Sequence, residues 1–192
     1  MKINRISIIT SLSSSHSAYA NRLMASVKGF IENGVDVQVL FMHTSPDVER
    51  TFAHADVHFV NLSRKQGNKY LRLLVALCRL IPYLRRENVF LIHITKSSII
   101  IWCFLFASRK TIFFHERTEY PDIHKGNNTL HIYNNLCKRF NGIFVISHAI
   151  KKYFIQKGID EKKLYIYSML IDPQRFENCR HHQDVESYIA YC

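Results

Sequence analysis

A strand pattern, a helix pattern and a second strand pattern follow one another at the start of the chain, and this succession limits the fold more than any other feature. Residues 5–10 form an apolar run typical of a strand, and residues 35–41 form another. Between them, residues 18–33 fit a helix that is closed by Gly34 and has one apolar face, formed by Tyr19, Leu23, Val27, Phe30 and Ile31. Two strands joined through a helix are typically parallel neighbours in one sheet, so the sequence predicts an α/β fold.

The same alternation continues through most of the chain. Further strands are predicted over residues 57–62, 89–94, 111–114, 142–146 and 164–167, and helices over residues 68–86, 97–108, 127–140 and 148–157. Residues 97–108 are expected to form a buried helix, with a strand as the alternative because the run is rich in isoleucine and aromatic residues. The whole pattern predicts a parallel sheet with helices on both faces.

Polar and ionisable residues follow the strand predicted over residues 111–114 without a break. They are His115, Glu116, Arg117, Thr118 and Glu119, and Pro121 then prevents regular structure from continuing. The sequence therefore predicts that a loop begins at His115. In open α/β sheets ligands bind at the carboxyl ends of the strands, and these side chains can donate and accept hydrogen bonds to a hydroxylated ligand. The alternative is a solvated loop whose charges have no function.

The charge balance favours anionic partners. The chain of 192 residues has a formal net charge of +11, which suits phosphates, nucleic acid or an acidic membrane surface without choosing among them. Its 5 cysteines show no CxxC pair, which indicates reduced thiols and a cytoplasmic location. No signal peptide is expected, and the longest apolar stretch, residues 99–107, is too short to span a membrane.

The helix predicted over residues 68–86 has two distinct faces. One face is apolar and carries Leu71, Leu74, Cys78 and Ile81. The other is basic and carries Lys69, Arg72, Arg79 and Arg86. A basic face of this kind is ordinarily solvated, and the alternative is a membrane-facing surface against anionic lipid at the inner face of the membrane. Pro82 is expected to kink or end the helix.

The order of motifs in the second half resembles the N-terminal domain of GT-B glycosyltransferases of the family 4 type. The motifs are Gly142 to Ser147, Gly158-Ile159, Leu164 to Tyr167 and Ile171 to Phe176, together with a histidine, His93 and His115, at the end of each of two strands. The resemblance covers about residues 5–192. It implies a Rossmann-like domain over residues 1–176, and a linker with the first strand of a C-terminal domain over residues 177–192.

The resemblance also implies a function and a set of site residues. It implies a retaining glycosyltransferase of the hexosyltransferase type in polysaccharide biosynthesis, which moves a sugar from a nucleotide donor to a hydroxyl of a glycan or lipid-linked acceptor. The implied catalytic residues are His115 and Glu116. The implied substrate-binding residues are Ser14, His16, His93, Arg117, Glu119 and Ser147. Ser147 precedes a helix, so an N-cap is favoured over a ligand contact. For His115 the alternative is a strand-end histidine hydrogen-bonded to the backbone, and His93 is more often a packed strand-end residue than a ligand.

The same resemblance sets expectations about the donor. A nucleotide sugar would be bound mainly by the C-terminal domain, so this chain alone is expected to be inactive and to need no cofactor. The family's glycine-rich turn after the first strand is replaced here by residues 11–17, which contain no glycine. No metal site is predicted either, because Cys179, His181 and His182 lack a fourth ligand at a suitable spacing.

Two other classes of protein compete with this interpretation. The first is a non-catalytic basic α/β module that binds an anionic partner such as nucleic acid. It is disfavoured, and no nucleic acid is expected as a partner, because the chain has no helix-turn-helix, zinc-finger or RNP-type motif. The second is a dinucleotide-binding oxidoreductase, which is disfavoured because the first turn lacks the G-x-G-x-x-G pattern.

Overall fold

The protein forms one parallel sheet with helices on both faces. The computed structural model describes residues 3–12, 17–53, 57–62, 68–93, 97–117 and 127–167. Seven strands are hydrogen-bonded in the order β3-β2-β1-β4-β5-β6-β7, and all their pairings are parallel. The strands are β1 (Arg5–Ser11), β2 (Asp36–His43), β3 (His58–Asn61), β4 (Val89–His93), β5 (Ile112–Arg117), β6 (Gly142–Val145) and β7 (Leu164–Ile166).

Six α-helices connect these strands. They are α1 (Ala18–Glu32), α2 (Pro46–Ala53), α3 (Lys69–Arg86), α4 (Ser97–Phe106), α5 (Asn127–Cys137) and α6 (His148–Gln156). A 3₁₀ turn over Glu161–Lys163 precedes β7. The Rossmann-like α/β architecture predicted from the sequence is therefore confirmed.

Successive side chains of each strand point to opposite faces of the sheet, where different helices pack. The molecule therefore has two apolar cores, one on each face. One core contains side chains of α3, α4, α5 and α6 packed on one face of the sheet. The other contains side chains of α1 and α2 packed on the opposite face. All five residues of β4 are buried, as expected for a central strand covered on both faces.

The helix ends follow ordinary capping chemistry. The side chains of Ser17, Asn68 and Ser147 each accept a hydrogen bond from a backbone N–H in the first turn of the helix that follows. Gly34 and Gly158 have φ angles of 71° and 79°, so each supplies the left-handed residue that closes the preceding helix. These residues fix the bounds of α1, α3 and α6 close to the predicted ones.

Two sequence-based expectations about the elements were wrong. Helix α2 was not predicted, although Val48 and Phe52 lie one turn apart and are both fully buried. Helix α3 has the predicted range and continues past Pro82 to Arg86, so of the two expected effects of Pro82 the end of the helix is excluded. The loop predicted to begin at His115 is absent, because β5 continues through residues 115–117 and pairs with β4 and β6 there.

The outward faces of α3 and α4 also differ from expectation. The buried residues of α3 are Ala76, Leu77, Leu80 and Leu84. The apolar face that carries Leu71, Leu74 and Cys78 is instead exposed to solvent. Helix α4 is a helix as predicted, but only Ile99, Ile100 and Cys103 are buried in it. Both helices therefore present apolar side chains outward.

Candidate functional site

The sheet contains a topological switch point between β1 and β4. From β1 the chain proceeds outward through β2 and β3, and from β4 it proceeds in the other direction to β7. In open α/β sheets, ligands bind in the crevice at the carboxyl ends of the strands that flank such a point. Here those ends carry Thr10 and His93, which are both fully buried, and Thr10 Oγ1 lies 3.0 Å from His93 Nδ1. The two side chains join the strands at the place where a ligand crevice is expected.

His93 is an uncharged imidazole in this position. Burial, the positive charge of Arg22 and the nearby His115 together lower its pKa to about 3, and burial has the largest effect. With the ring proton on Nε2, Nδ1 accepts a hydrogen bond from the Thr10 hydroxyl. Among the described residues, the buried Nε2 makes no hydrogen bond. The distance from Nε2 to Glu116 Oε2 is 3.5 Å. The contact is therefore a polar contact of a neutral ring, not an ion pair between opposite charges.

Glu116 is buried next to His93 because the two residues are register partners in β4 and β5. Burial raises the pKa of the Glu116 carboxyl above its usual value. Two groups oppose this rise in pKa: the hydroxyl of Tyr167, which donates a hydrogen bond to Oε1, and the charge of Arg22. Thr10, His93, Glu116 and Tyr167 together form the polar cluster, which crosses the sheet near the carboxyl ends of its strands.

Tyr167 is a member of the cluster that sequence reasoning missed. It follows β7, and its backbone N–H donates to the carbonyl of Val145 at 3.1 Å, which fixes its position at the sheet edge. Burial and the adjacent Glu116 raise the pKa of its hydroxyl, so the group stays protonated and donates to the carboxylate. The available signal was a tyrosine at the carboxyl end of a predicted strand.

Arg22 was missed as well. It lies in α1 with only 8% of its surface exposed, and its guanidinium stacks 4.7 Å above the ring of Tyr19. Its charge lowers the pKa of both His93 and Glu116. The signal in the sequence was an arginine beside Leu23 on the helix face that packs against the sheet.

His115 lies on the other face of β5 from the polar cluster. Its Nδ1–H donates to the carbonyl of Ile92 at 2.9 Å, and its Nε2 accepts from the hydroxyl of Tyr133 at 2.8 Å. Its ring stacks on Phe140 with centroids 4.9 Å apart. These contacts make His115 a positioning residue that ties β5 to β4 and α5, while its predicted catalytic role stays a prediction.

The structure says less about the roles of the remaining predicted site residues. Ser147 is the N-cap of α6, and its Oγ accepts from the backbone N–H of Ile150 at 3.2 Å, so the N-cap reading is confirmed. The backbone of Arg117 ends β5, and its side chain is not described. Ser14, His16 and Glu119 lie outside the described residues, as do residues 177–192 and their predicted linker and strand. Their predicted substrate contacts stay predictions.

The predicted membrane-facing residues all belong to α3. Lys69, Arg79 and Arg86 are exposed, Arg72 is half-buried, and Arg79 Nη1 reaches the carbonyl of Leu62 at 3.5 Å. Among the residues that the structure describes, no helix has the length and apolar character needed to cross a bilayer. Within the same ranges, no group of three or more His, Cys, Asp or Glu side chains could hold a metal ion. Cys179, His181 and His182 are not among them.

Chemically, the polar cluster can orient a hydroxyl at the switch point. It combines a carboxyl with a raised pKa, a neutral imidazole and a protonated phenol, and the charge of the Arg22 guanidinium lowers the pKa of all three. Such groups donate and accept hydrogen bonds to hydroxylated ligands. The fold and the position of this cluster define a Rossmann-like α/β domain whose expected ligand position is the carboxyl ends of β1 and β4.

Comparison with protein families identifies the chain more closely. The model of Glycosyltransferase Family 4 matches residues 20–175. Because this match covers most of the sequence, the chain belongs to glycosyltransferase family 4. No curated protein sequence matches it significantly.

Solved structures with the same fold include enzymes of two kinds. The Anabaena protein Alr3699/HepE in complex with UDP and glucose superposes with a TM-score of 0.69 at 11% identity, over 90% of this chain and 46% of that chain. A glycosyltransferase from Rickettsia africae ESF-5 gives 0.62 at 13% identity, over 97% and 51%. The UDP-GlcNAc 2-epimerase from Methanocaldococcus jannaschii gives 0.57 at 13% identity, over 84% and 45%. The chain thus spans about half the length of these structures, consistent with the N-terminal domain of a GT-B enzyme.

Proposed function

We propose that this chain is the acceptor-side domain of a retaining glycosyltransferase that moves a sugar, a hexose by resemblance, from a nucleotide donor to a hydroxyl of a glycan or lipid-linked acceptor in polysaccharide biosynthesis. The observation that carries the proposal is the buried polar cluster at the switch point of a family 4 domain. HepE holds UDP and glucose in its solved complex, which supports a nucleotide sugar as the donor.

The roles of the residues follow from their geometry. The Glu116 carboxyl accepts a hydrogen bond from the acceptor hydroxyl or orients the group that does. Tyr167 holds that carboxyl in place through its own hydroxyl, and His93 keeps a neutral polar surface beside it. We assign no general base, because a retaining transfer in this fold does not require the pair of carboxylates that a glycosidase uses.

We further propose that the chain alone does not transfer sugar and needs no cofactor of its own. Holding donor and acceptor in one geometry is worth roughly 7–11 kcal/mol of the barrier in favourable cases. This chain spans about half the length of the structures it matches, and we place most donor contacts in the half that it does not match. We place the domain in the cytoplasm, with the basic residues of α3 toward an anionic membrane surface, because lipid-linked acceptors are held there.

The test is a binding and turnover experiment on the purified chain. We expect it to bind glycan or lipid-linked acceptors on an array, and we expect Glu116→Gln to weaken that binding without unfolding the domain. Steady transfer from a UDP-sugar, or epimerisation of UDP-GlcNAc, by the chain alone would contradict the acceptor-side assignment. Tight binding of oligonucleotides, with no glycan bound, would favour the alternative of a basic module for anionic partners.

A further inference from the structure

Helices α3 and α4 expose an unusual number of large apolar side chains. In α3, Tyr70, Leu71 and Leu74 are 70%, 45% and 52% exposed, and in α4, Ile101 and Leu105 are 38% and 68% exposed. Together these five residues are called the α3–α4 surface. Each helix already buries a separate face in the core. The α3–α4 surface is therefore not needed to hold these helices on the sheet.

The two helices form one continuous support for this surface. The indole N–H of Trp102 in α4 donates to the carbonyl of Leu77 in α3 at 2.9 Å. The indole also packs against Phe106, with ring centroids 4.5 Å apart. These contacts hold α3 and α4 side by side, so the exposed side chains of both helices lie on neighbouring elements. Clustered apolar exposure of this kind marks an interaction site more often than scattered single residues do.

The charged residues within α3 are all positive, α4 contains none, and Glu87, which caps α3, is paired with Arg5. Neither α3 nor α4 contains an aspartate or a glutamate. The basic residues of α3 are Lys69, Arg72, Arg79, Arg85 and Arg86, and Arg109 and Lys110 follow α4. Apolar side chains bordered by arginine and lysine match the boundary between acyl chains and anionic headgroups, where the apolar groups enter and the cations remain at the phosphates.

We propose that the α3–α4 surface docks onto an anionic lipid bilayer and inserts Leu71, Leu74 and Leu105 at the headgroup boundary. This inference rests on the proposed membrane location of the domain, and it adds a contact that charge alone does not provide. Attraction between basic residues and anionic lipid is screened by salt, whereas burial of leucine side chains in the interface is not.

The experiment compares vesicle binding of the wild-type chain with two variants. Phosphatidylglycerol vesicles and neutral phosphatidylcholine vesicles are titrated at low and high salt, and sedimentation gives the partition coefficient. The apolar variant carries Leu71→Ser, Leu74→Ser and Leu105→Ser. The basic variant carries Gln in place of Lys69, Arg72, Arg79 and Arg86. Except for Arg72, which is half-buried, these residues are exposed, so the changes should leave the fold intact, which circular dichroism verifies.

A matched control addresses apolar exposure elsewhere on the molecule. Ile31 in α1 and Ile155 in α6 are 41% and 40% exposed, so Ile31→Ser with Ile155→Ser changes similar side chains away from the α3–α4 surface. Trp102 is the single tryptophan of the chain, and its fluorescence reports the approach of this surface to lipid. Quenching by brominated acyl chains is expected for the wild type and for the control variant.

The expected result is anionic-lipid binding that high salt reduces but does not abolish. The apolar variant should lose on the order of tenfold or more in partition coefficient at high salt, along with the quenching of Trp102. Salt-sensitive binding that the apolar variant retains in full would overturn insertion and leave only the basic contact. Absence of binding to any vesicle, or dimerisation through this face, would overturn both membrane proposals. Neither outcome bears on acceptor binding, which is measured separately.

Discussion

Replacing His115 by alanine should destabilise the domain strongly. The substitution removes the hydrogen bonds that join His115 to the carbonyl of Ile92 at 2.9 Å and to the hydroxyl of Tyr133 at 2.8 Å. Each such hydrogen bond contributes about 0.5–1.5 kcal/mol. The space vacated against Phe140, whose ring stacks 4.9 Å away, adds about 1–2 kcal/mol. The free energy of unfolding should therefore fall by about 2–5 kcal/mol, a large part of the roughly 5–15 kcal/mol of a typical domain.

Urea denaturation, followed by Trp102 fluorescence and circular dichroism, measures this loss. Tyr133→Phe is the partial control, because it removes one hydrogen bond and keeps the ring, and it should lower the unfolding free energy by about 1–2 kcal/mol. If His115→Ala unfolds within 0.5 kcal/mol of the wild type (about the scatter of ordinary surface substitutions), then His115 is not a structural tie. The residue would then be available for the chemistry that the sequence predicts.

Three further predictions concern the polar cluster and the sheet. In Tyr167→Phe, the buried Glu116 carboxyl loses a donor that lowers its pKa, so a ¹³C titration of Glu116 should show a higher pKa than in the wild type; an unchanged value would exclude the bond. The pKa of His93 is about 3 in the folded state and about 6.5 in the unfolded state, so unfolding takes up a proton between these pH values. The free energy of unfolding should therefore fall as pH is lowered from 6.5 toward 3, by up to about 1.4 kcal/mol per pH unit. The raised pKa of Glu116 has the opposite effect on stability above pH 4.5. In His93→Gln the plot of unfolding free energy against pH should be flatter than in the wild type. Parallel plots for the two proteins would contradict the lowered pKa of His93. Gly142→Ala would place a Cβ 2.9 Å from Phe114 and should cost about 1–3 kcal/mol of unfolding free energy, whereas an unchanged urea midpoint would show that the ring moves aside.

The fold could be predicted from the sequence because most of its elements carry a local signature. The first strand, α1 and β2 combine an apolar pattern with Gly34 at the helix end, and these signals depend on neighbouring residues only. Helix α2 escaped prediction because it is short and mostly polar, with only Val48 and Phe52 fully buried. A pattern of two apolar residues is too brief to distinguish a helix from a loop.

The end of β5 and the outward face of α3 could not be predicted for a different reason. His115 and Glu116 look like loop residues, and they are buried only because Tyr133 and Tyr167 provide hydrogen-bond partners from distant elements. Glu116 and Tyr167 are 51 residues apart, and no local pattern connects them. Helix α3 has two apolar faces, and tertiary packing alone decides which of them is buried.

The contact between β1 and β4 has a consequence for how the protein is made. Thr10 and His93 are 83 residues apart in the sequence. The ribosome must therefore synthesise most of the first half of the chain before β4, the second neighbour of β1, is available for pairing. At about 5–20 residues per second on the ribosome, one edge of this apolar strand stays open for several seconds. During that interval the nascent chain presents unpaired backbone groups that another polypeptide can occupy. Translation arrested before β4 should therefore yield an aggregation-prone product, and holdase chaperones should engage the nascent chain until residue 93 has left the exit tunnel.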